Sequence, residues 1–249
     1  MIPKVIYQTW KTQNIHKKIN DLHKKMLKAN PEYQHIIYTD DQMLDFVKSN
    51  YDKDIFRYFE RINNIVARAD FWRYLILFKK GGVYLDIDSI INKNLDEILE
   101  QEDEALITAE KNLNRFAQWS LIFNKNHPIL EKTIENLITN IHENKHKNNV
   151  LYFSAKPYWD AINSSFMEND LQFSWDMINE NTNELFFIKK SNFRIFSIDY
   201  GKYISFKHKF NHLLRQKKKE PNVDIGNFKK VRKCFLNFYD FPKRMAIVL

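Results

Sequence analysis

Along most of this chain, apolar runs of strand length alternate with stretches whose apolar residues recur at helical spacing. That alternation constrains the fold more than any other feature. Strands separated by helices return in the same direction and build a largely parallel sheet with helices on its faces. "KVIYQTW" reads as a buried first strand and "YQHIIYTD" as a second. Between them, "NIHKKINDLHKKMLKAN" carries Ile15, Ile19, Leu22, Met26 and Leu27 at helical spacing, with Pro31 just past its end. Thr39 and Asp40 are cap candidates for the helix "DQMLDFVKSN". A long helical pattern then runs from about Asp54 to Lys79 and stops at Gly81, as helices commonly do. "VYLDIDSII" has the composition of another strand. Beyond it come a short helix near "LDEILE", strands near "EALITAE" and "FAQWSLIFN", and an amphipathic helix "HPILEKTIENLITNIHEN". A helix around "KPYWDAINSSFME" and strands near "ELFFIKK" and "FRIFSI" complete the pattern. No repeat, low-complexity tract or Gly/Ser/Pro linker interrupts it, so the sequence predicts one α/β domain over residues 1–249.

The segment 201–249 differs. "FKHKFNHLLRQKKKEPN" and "NFKKVRKCFLNFYDFPKRM" mix basic and aromatic residues and do not continue the alternation. The formal charge of +8 suits anionic partners such as nucleotide phosphates, anionic lipid or nucleic acid, without choosing among them. The single cysteine, Cys234, excludes an intramolecular disulfide and a cysteine-based metal cluster. The start "MIPKVIYQTWKTQ" lacks the features of a signal peptide, and no run approaches the ~18 apolar residues of a membrane span. These features lead us to expect a cytoplasmic protein, with peripheral attachment to a membrane left open.

Two aspartates stand out in "GGVYLDIDSII". The chain has only four glycines, yet Gly81 and Gly82 lie together directly before this apolar run. Glycine permits positive φ and close approach of another backbone or of a ligand. If the strand continues through the run, Tyr84, Asp86 and Asp88 share one face, the two carboxylates ~7 Å apart at a rise of ~3.3 Å per residue. Like charges that close repel unless a cation lies beside them. Oxygen ligands with room for waters and phosphates suit Mg²⁺ or Mn²⁺ rather than zinc. The plainer alternative is a frayed strand end with both groups solvated. In the helix before it, Asp70 and Arg73 are i,i+3 neighbours. A surface ion pair would explain them, but the apolar surroundings "FWRYLILF" place them at the margin of a buried face, where paired charges point to a functional site.

"ADFWRYLILFKKGGVYLDIDSI" resembles the Asp-x-x-Arg…Gly-Gly-x-Tyr-x-Asp-x-Asp signature of the D-x-D sugar-binding glycosyltransferases, glycosyltransferase family 32. That family includes the yeast outer-chain-initiating mannosyltransferases and is similar to the glucosyltransferase domain of bacterial glucosylating toxins. "IPKVIYQTWK" resembles the family's first strand, I-P-K-x-I-x-Q-x-W. The two motifs cover about residues 1–110. The resemblance implies a GT-A fold with a mostly parallel central sheet, a UDP- or GDP-linked sugar donor, a divalent ion (Mn²⁺ or Mg²⁺) and a retaining hexosyl transfer. The acceptor would be a carbohydrate, glycolipid or glycoprotein, and no nucleic acid is expected.

By the family pattern Asp88 ligates the metal that bridges the diphosphate. Asp86 meets the donor ribose or sugar and can reach the metal through water. Asp70 and Arg73 hold the donor sugar hydroxyls, with Arg73 also near developing negative charge. Tyr84 lies against the nucleoside, Trp10 and the backbone of Thr9 line the base pocket, and Gly82 joins the donor-binding set. His208 and His212 are candidates for a further metal ligand, and 201–249 is expected to pack on or near the active site. The sequence departs from the pattern at Tyr7, usually His, and at Ala69, often Ser. "FSAKP" at 153–157 replaces a T-G-P-like segment, and no Trp follows Trp175, so the C-terminal Ser-Trp lid is missing.

Two other readings compete. "VYLDIDSI" also resembles the nucleophilic strand of haloacid-dehalogenase phosphohydrolases, but no Gly-Asp or Asp-Asp pair follows Asp88 to supply their downstream acids. A basic module binding nucleic acid or a membrane surface through the tail would leave Asp86, Asp88 and the glycine pair unexplained.

Overall fold

The computed structural model describes residues 1–91, 93–110, 113–143, 150–168, 174–176, 180 and 194–198. Among these residues six strands form one sheet: β1 (Val5–Thr9), β2 (Gln34–Tyr38), β3 (Gly82–Leu85), β4 (Ala105–Glu110), β5 (Arg115–Phe123) and β6 (Arg194–Ile198). Their order is β2-β1-β3-β5-β4-β6. β1 pairs parallel with β2 and with β3, β5 runs antiparallel between β3 and β4, and β6 lies parallel to β4. Among the described residues six helices accompany the sheet: α1 (Lys17–Ala29), α2 (Asp40–Asn50), α3 (Lys53–Arg61), α4 (Ile65–Lys80), α5 (Pro128–Glu143) and α6 (Ala155–Glu168). The α/β class and the mostly parallel sheet are those that the alternation predicts, and the antiparallel β5 makes the sheet mixed.

The pleat divides the core in two. On β3, Tyr84 joins the apolar cluster that holds Trp72, Leu75, Phe123 and Tyr158, while Val83 and Leu85 join a second cluster with Ile6, Met26, Leu106 and Ile122. Both faces of the central strands are therefore covered, which accounts for their nearly continuous apolar sequence. Helix α4 is hydrophobic almost all round because it is buried: Phe71, Trp72, Tyr74, Leu75, Ile76 and Leu77 have no solvent exposure. Each such large side chain contributes about 1.5–3 kcal/mol on burial. Thr39 caps α2 through a capping box with Gln42.

The glycine pair makes the turn between α4 and β3. Gly81 terminates the helix at φ +65°, and Gly82 opens the strand at φ +108°. A Cβ on Gly81 would lie 2.7 Å from the Lys125 nitrogen, and one on Gly82 would lie 2.8 Å from the Val5 carbonyl oxygen. The close approach that these glycines permit is thus of backbone to backbone.

Three expectations are corrected. The long helical pattern from Asp54 to Lys79 is two helices, α3 and α4, because Asn64 accepts hydrogen bonds from the Val66 and Ala67 amides and starts a new helix. The strand in "VYLDIDSII" ends at Leu85. Beyond it the Ser89 amide donates to the Asp86 carbonyl at 2.8 Å and closes a turn, so Asp86 and Asp88 do not alternate along a strand face. Near "LDEILE" only a single 3₁₀ turn forms, Leu95–Glu97. The strand anticipated near "ELFFIKK" and the whole segment 201–249, with His208 and His212, lie outside the described residues.

Candidate active site

The site lies at the carboxyl ends of β1 and β3, the neighbouring parallel strands from which the chain continues in opposite directions along the strand order. Ligands of open α/β sheets bind at such a switch point. Four elements converge there: the ends of β1 and β3, the second and third turns of α4, and the middle of β5.

Arg73 is the centre of the arrangement. Its Nη2 donates to Asp70 Oδ1 at 2.6 Å and to Asp86 Oδ1 at 3.0 Å, and its Nη1 donates to the Gln118 carbonyl at 2.7 Å. The guanidinium also lies 4.5 Å from the centre of the Tyr84 ring, within cation–π range. Arg73 and Asp70 are 4% and 3% exposed. Burial by itself pushes the guanidinium pKa down, but the adjacent carboxylates of Asp70 and Asp86 outweigh it, and the group is held above its ordinary value. It is a fixed positive charge.

The carboxylates are then oriented by neutral groups. The Tyr84 hydroxyl donates to Asp86 Oδ1 at 3.2 Å and lies 3.3 Å from the Thr9 hydroxyl. Burial raises the Tyr84 pKa, so it remains a phenol. Gln118 Nε2 donates to Asp70 Oδ2 at 3.2 Å, and the Tyr74 hydroxyl donates to Gln118 Oε1 at 3.0 Å. A connected set therefore runs from Thr9 through Tyr84, Asp86 and Arg73 to Asp70, Gln118 and Tyr74. Asp88 is 6% exposed and follows Asp86 within the turn. Trp10, half-buried, packs with Ile19 and Ile87 in a small apolar cluster, which brings its indole beside that same turn.

Of the residues singled out from the sequence, Thr9, Asp70, Arg73, Tyr84 and Asp86 are brought into mutual contact, with Asp88 and Trp10 adjoining. Gly82 is at the opposite end of β3, packed against Val5 and the Tyr7 ring. Sequence reasoning missed Gln118, which touches both Asp70 and Arg73. The available signal was a polar residue inside the apolar run "FAQWSLIF". Among the described residues no group of three or more His, Cys, Asp and Glu side chains is placed to hold a metal. A carboxylate pair is nonetheless the donor set suited to Mg²⁺ or Mn²⁺, which usually takes one or two carboxylates and completes its shell with phosphate oxygens and water.

The stretch of sequence that builds most of this site is similar to the sugar-binding region of glycosyltransferases that contains a D-x-D motif. The family model described as "Glycosyltransferase sugar-binding region containing DXD motif" matches residues 16–105, from just before α1 to the start of β4. Among similar proteins, inositol phosphoceramide mannosyltransferase 3 of Schizosaccharomyces pombe is 35% identical over 136 residues, 55% of this chain and 37% of that protein. The initiation-specific alpha-1,6-mannosyltransferase of Candida albicans is 31% identical over 172 residues, 58% of this chain and 44% of that protein. The chain thus spans less than half the length of these relatives. Of solved structures, the PaToxG glycosyltransferase shares the GT-A-type fold at a TM-score of 0.55 and 24% identity, covering 68% of this chain and 72% of that one. No helix among the described residues is long and apolar enough to cross a membrane.

Proposed function

We propose that this chain is a metal-dependent, retaining hexosyltransferase that moves a hexose from a UDP- or GDP-linked donor to a glycan, glycolipid or glycoprotein. The observation that carries the reading is the Asp70–Arg73–Asp86 set, its first two members buried and Asp86 partly exposed, fixed by Tyr84 and Gln118 where β1 and β3 end. A buried guanidinium between two carboxylates is costly to maintain for stability alone. It is well suited to receiving sugar hydroxyls on the carboxylates and negative charge near the guanidinium.

Asp88, with Asp86 directly or through water, would hold Mn²⁺ or Mg²⁺, and the ion would act as a Lewis acid toward the departing diphosphate. Asp86, oriented through Oδ1 by Arg73 and Tyr84, would meet the donor ribose or sugar. Asp70 and Arg73 orient the hexose, and Trp10 offers an apolar plane to the base. Both relatives are mannosyltransferases by name, so mannose is the first sugar to try, and the inositol phosphoceramide of one name makes a phospholipid-like acceptor the first acceptor class. A cytoplasmic location, with peripheral membrane contact through residues 201–249, belongs to the same reading.

Calorimetry with UDP, GDP and their sugars, each with and without Mn²⁺, tests the proposal. One nucleotide should bind tightly only with the ion, and its sugar should be hydrolysed slowly with retention at the anomeric carbon, as seen by NMR. Ion-independent binding of every nucleotide would overturn the metal assignment, and release of the inverted sugar would overturn the stereochemistry.

A further inference from the structure

The turn carrying the two D-x-D carboxylates is gripped by Gln8 and His23, with His35 bracing Gln8; of the three, only Gln8 falls within the first-strand motif. Gln8, on β1, is fully buried; its Nε2 donates to the Asp86 carbonyl at 3.0 Å and to the Ser89 carbonyl at 3.2 Å. His23, on α1 and 2% exposed, meets the Ile87 carbonyl through Nε2 at 3.3 Å. His35, on β2, meets Gln8 Oε1 through Nε2 at 2.8 Å, and the two imidazoles stand edge to face with centres 5.0 Å apart.

The directions of these bonds follow from chemistry. A carbonyl oxygen only accepts, so His23 carries its proton on Nε2. The Gln8 amide already gives both Nε2 hydrogens to carbonyls, so its Oε1 accepts and His35 donates from Nε2. Three carbonyls of a short turn thus receive three side-chain hydrogen bonds from two different elements, β1 and α1, while the amide of Asp86 is tied to the Trp119 carbonyl at 2.9 Å. Fixing the carbonyls fixes the peptide planes, and with them the Cα–Cβ directions of Asp86 and Asp88. Burial also lowers both histidine pKa values to about 4, which keeps the imidazoles neutral and able to hold these tautomers at neutral pH.

We propose that Gln8, His23 and His35 are positioning residues that preset the Asp86–Ser89 turn for the metal–diphosphate complex. This rests on the reading of Asp86 and Asp88 given above. Outer groups that orient metal ligands typically change affinity or activity by 10–100-fold when removed.

The test compares Gln8→Leu, His23→Leu and His23→Gln with the native chain, the last because a glutamine amide can supply a donor near the position of Nε2. In protein free of metal and nucleotide, hydrogen exchange of a peptide covering 86–91 should accelerate in both leucine variants and return toward the native rate in His23→Gln. In calorimetry with Mn²⁺ and the preferred nucleoside diphosphate, affinity should fall about 10–100-fold in the leucine variants and recover in His23→Gln. Exchange that stays native in the leucine variants overturns the proposal. So does a loss of Mn²⁺-dependent affinity that His23→Gln fails to recover while its melting temperature matches the native chain. If the native chain shows no Mn²⁺-dependent binding, the metal reading fails, and the exchange comparison still decides whether these residues set the turn.

Discussion

Arg73 separates what charge can do from what shape can do. Its fork satisfies Asp70, Asp86 and the Gln118 carbonyl together, and lysine, a point charge on a flexible stem, cannot reproduce that geometry. Arg73→Lys should lower kcat/KM by about 100-fold, corresponding to roughly 2.7 kcal/mol of lost transition-state stabilisation, with a smaller change in nucleotide affinity. Equal losses in both would mean that Arg73 acts by holding the fold. Asp88→Ala should abolish metal-dependent donor hydrolysis while far-ultraviolet circular dichroism stays native, and near-native turnover would remove Asp88 from the site. Much of this residue-level picture was legible in the sequence. Asp70 and Arg73 share a helix face at i,i+3, and Tyr84 and Asp86 are near neighbours, so spacing alone brings each pair together. Gln118 was not legible, because its meeting with Asp70 depends on how β5 enters the sheet beside β3, and a glutamine in a strand announces no partner.

Among the elements, the α4–β3 connection is the most demanding. Gly82 combines positive φ with a would-be Cβ contact of 2.8 Å to the backbone of β1. Gly82→Ala should therefore destabilise the protein by about 2 kcal/mol or more, since the substituent is strained in both conformation and space. At roughly 2–4 °C per kcal/mol for a chain of this size, the melting temperature should drop by about 4–8 °C. An unchanged melting temperature would show that β1 yields. The pair "GG" before an apolar run disclosed this turn plainly. The helix boundary at Asn64 and the strand end at Leu85 were hidden, since apolar periodicity continues across both. In each case a local hydrogen bond overrides the pattern: the Asn64 side chain on the amides ahead of it, and the Ser89 amide on the Asp86 carbonyl.

At the scale of the whole molecule, the order β2-β1-β3 puts α1 and β2 under the functional turn, and with them the two buried histidines. Their folded-state pKa values of about 4 lie below the ordinary 6.5, so the unfolded chain takes up protons first as pH falls. Stability from this source is present above pH 6.5 and is lost progressively down to about pH 4. For His23 the loss reaches about 3 kcal/mol at the acid end of that range. Urea titrations at a series of pH values should show a shallower decline for His23→Gln than for the native chain, and parallel curves would refute the assignment. The α/β class and the first half of the sheet could be read from alternating patterns, whereas the antiparallel insertion of β5 could not, because a strand's direction leaves no mark on its composition. One consequence of the glycine turn reaches into folding. Arg73 and Asp86 are only 13 residues apart, joined by a helix end and a sharp reversal, so the ring their contact closes is short and entropically cheap. This corner is therefore mostly local in the chain, and its charges can find one another before the distant β6 has joined the sheet.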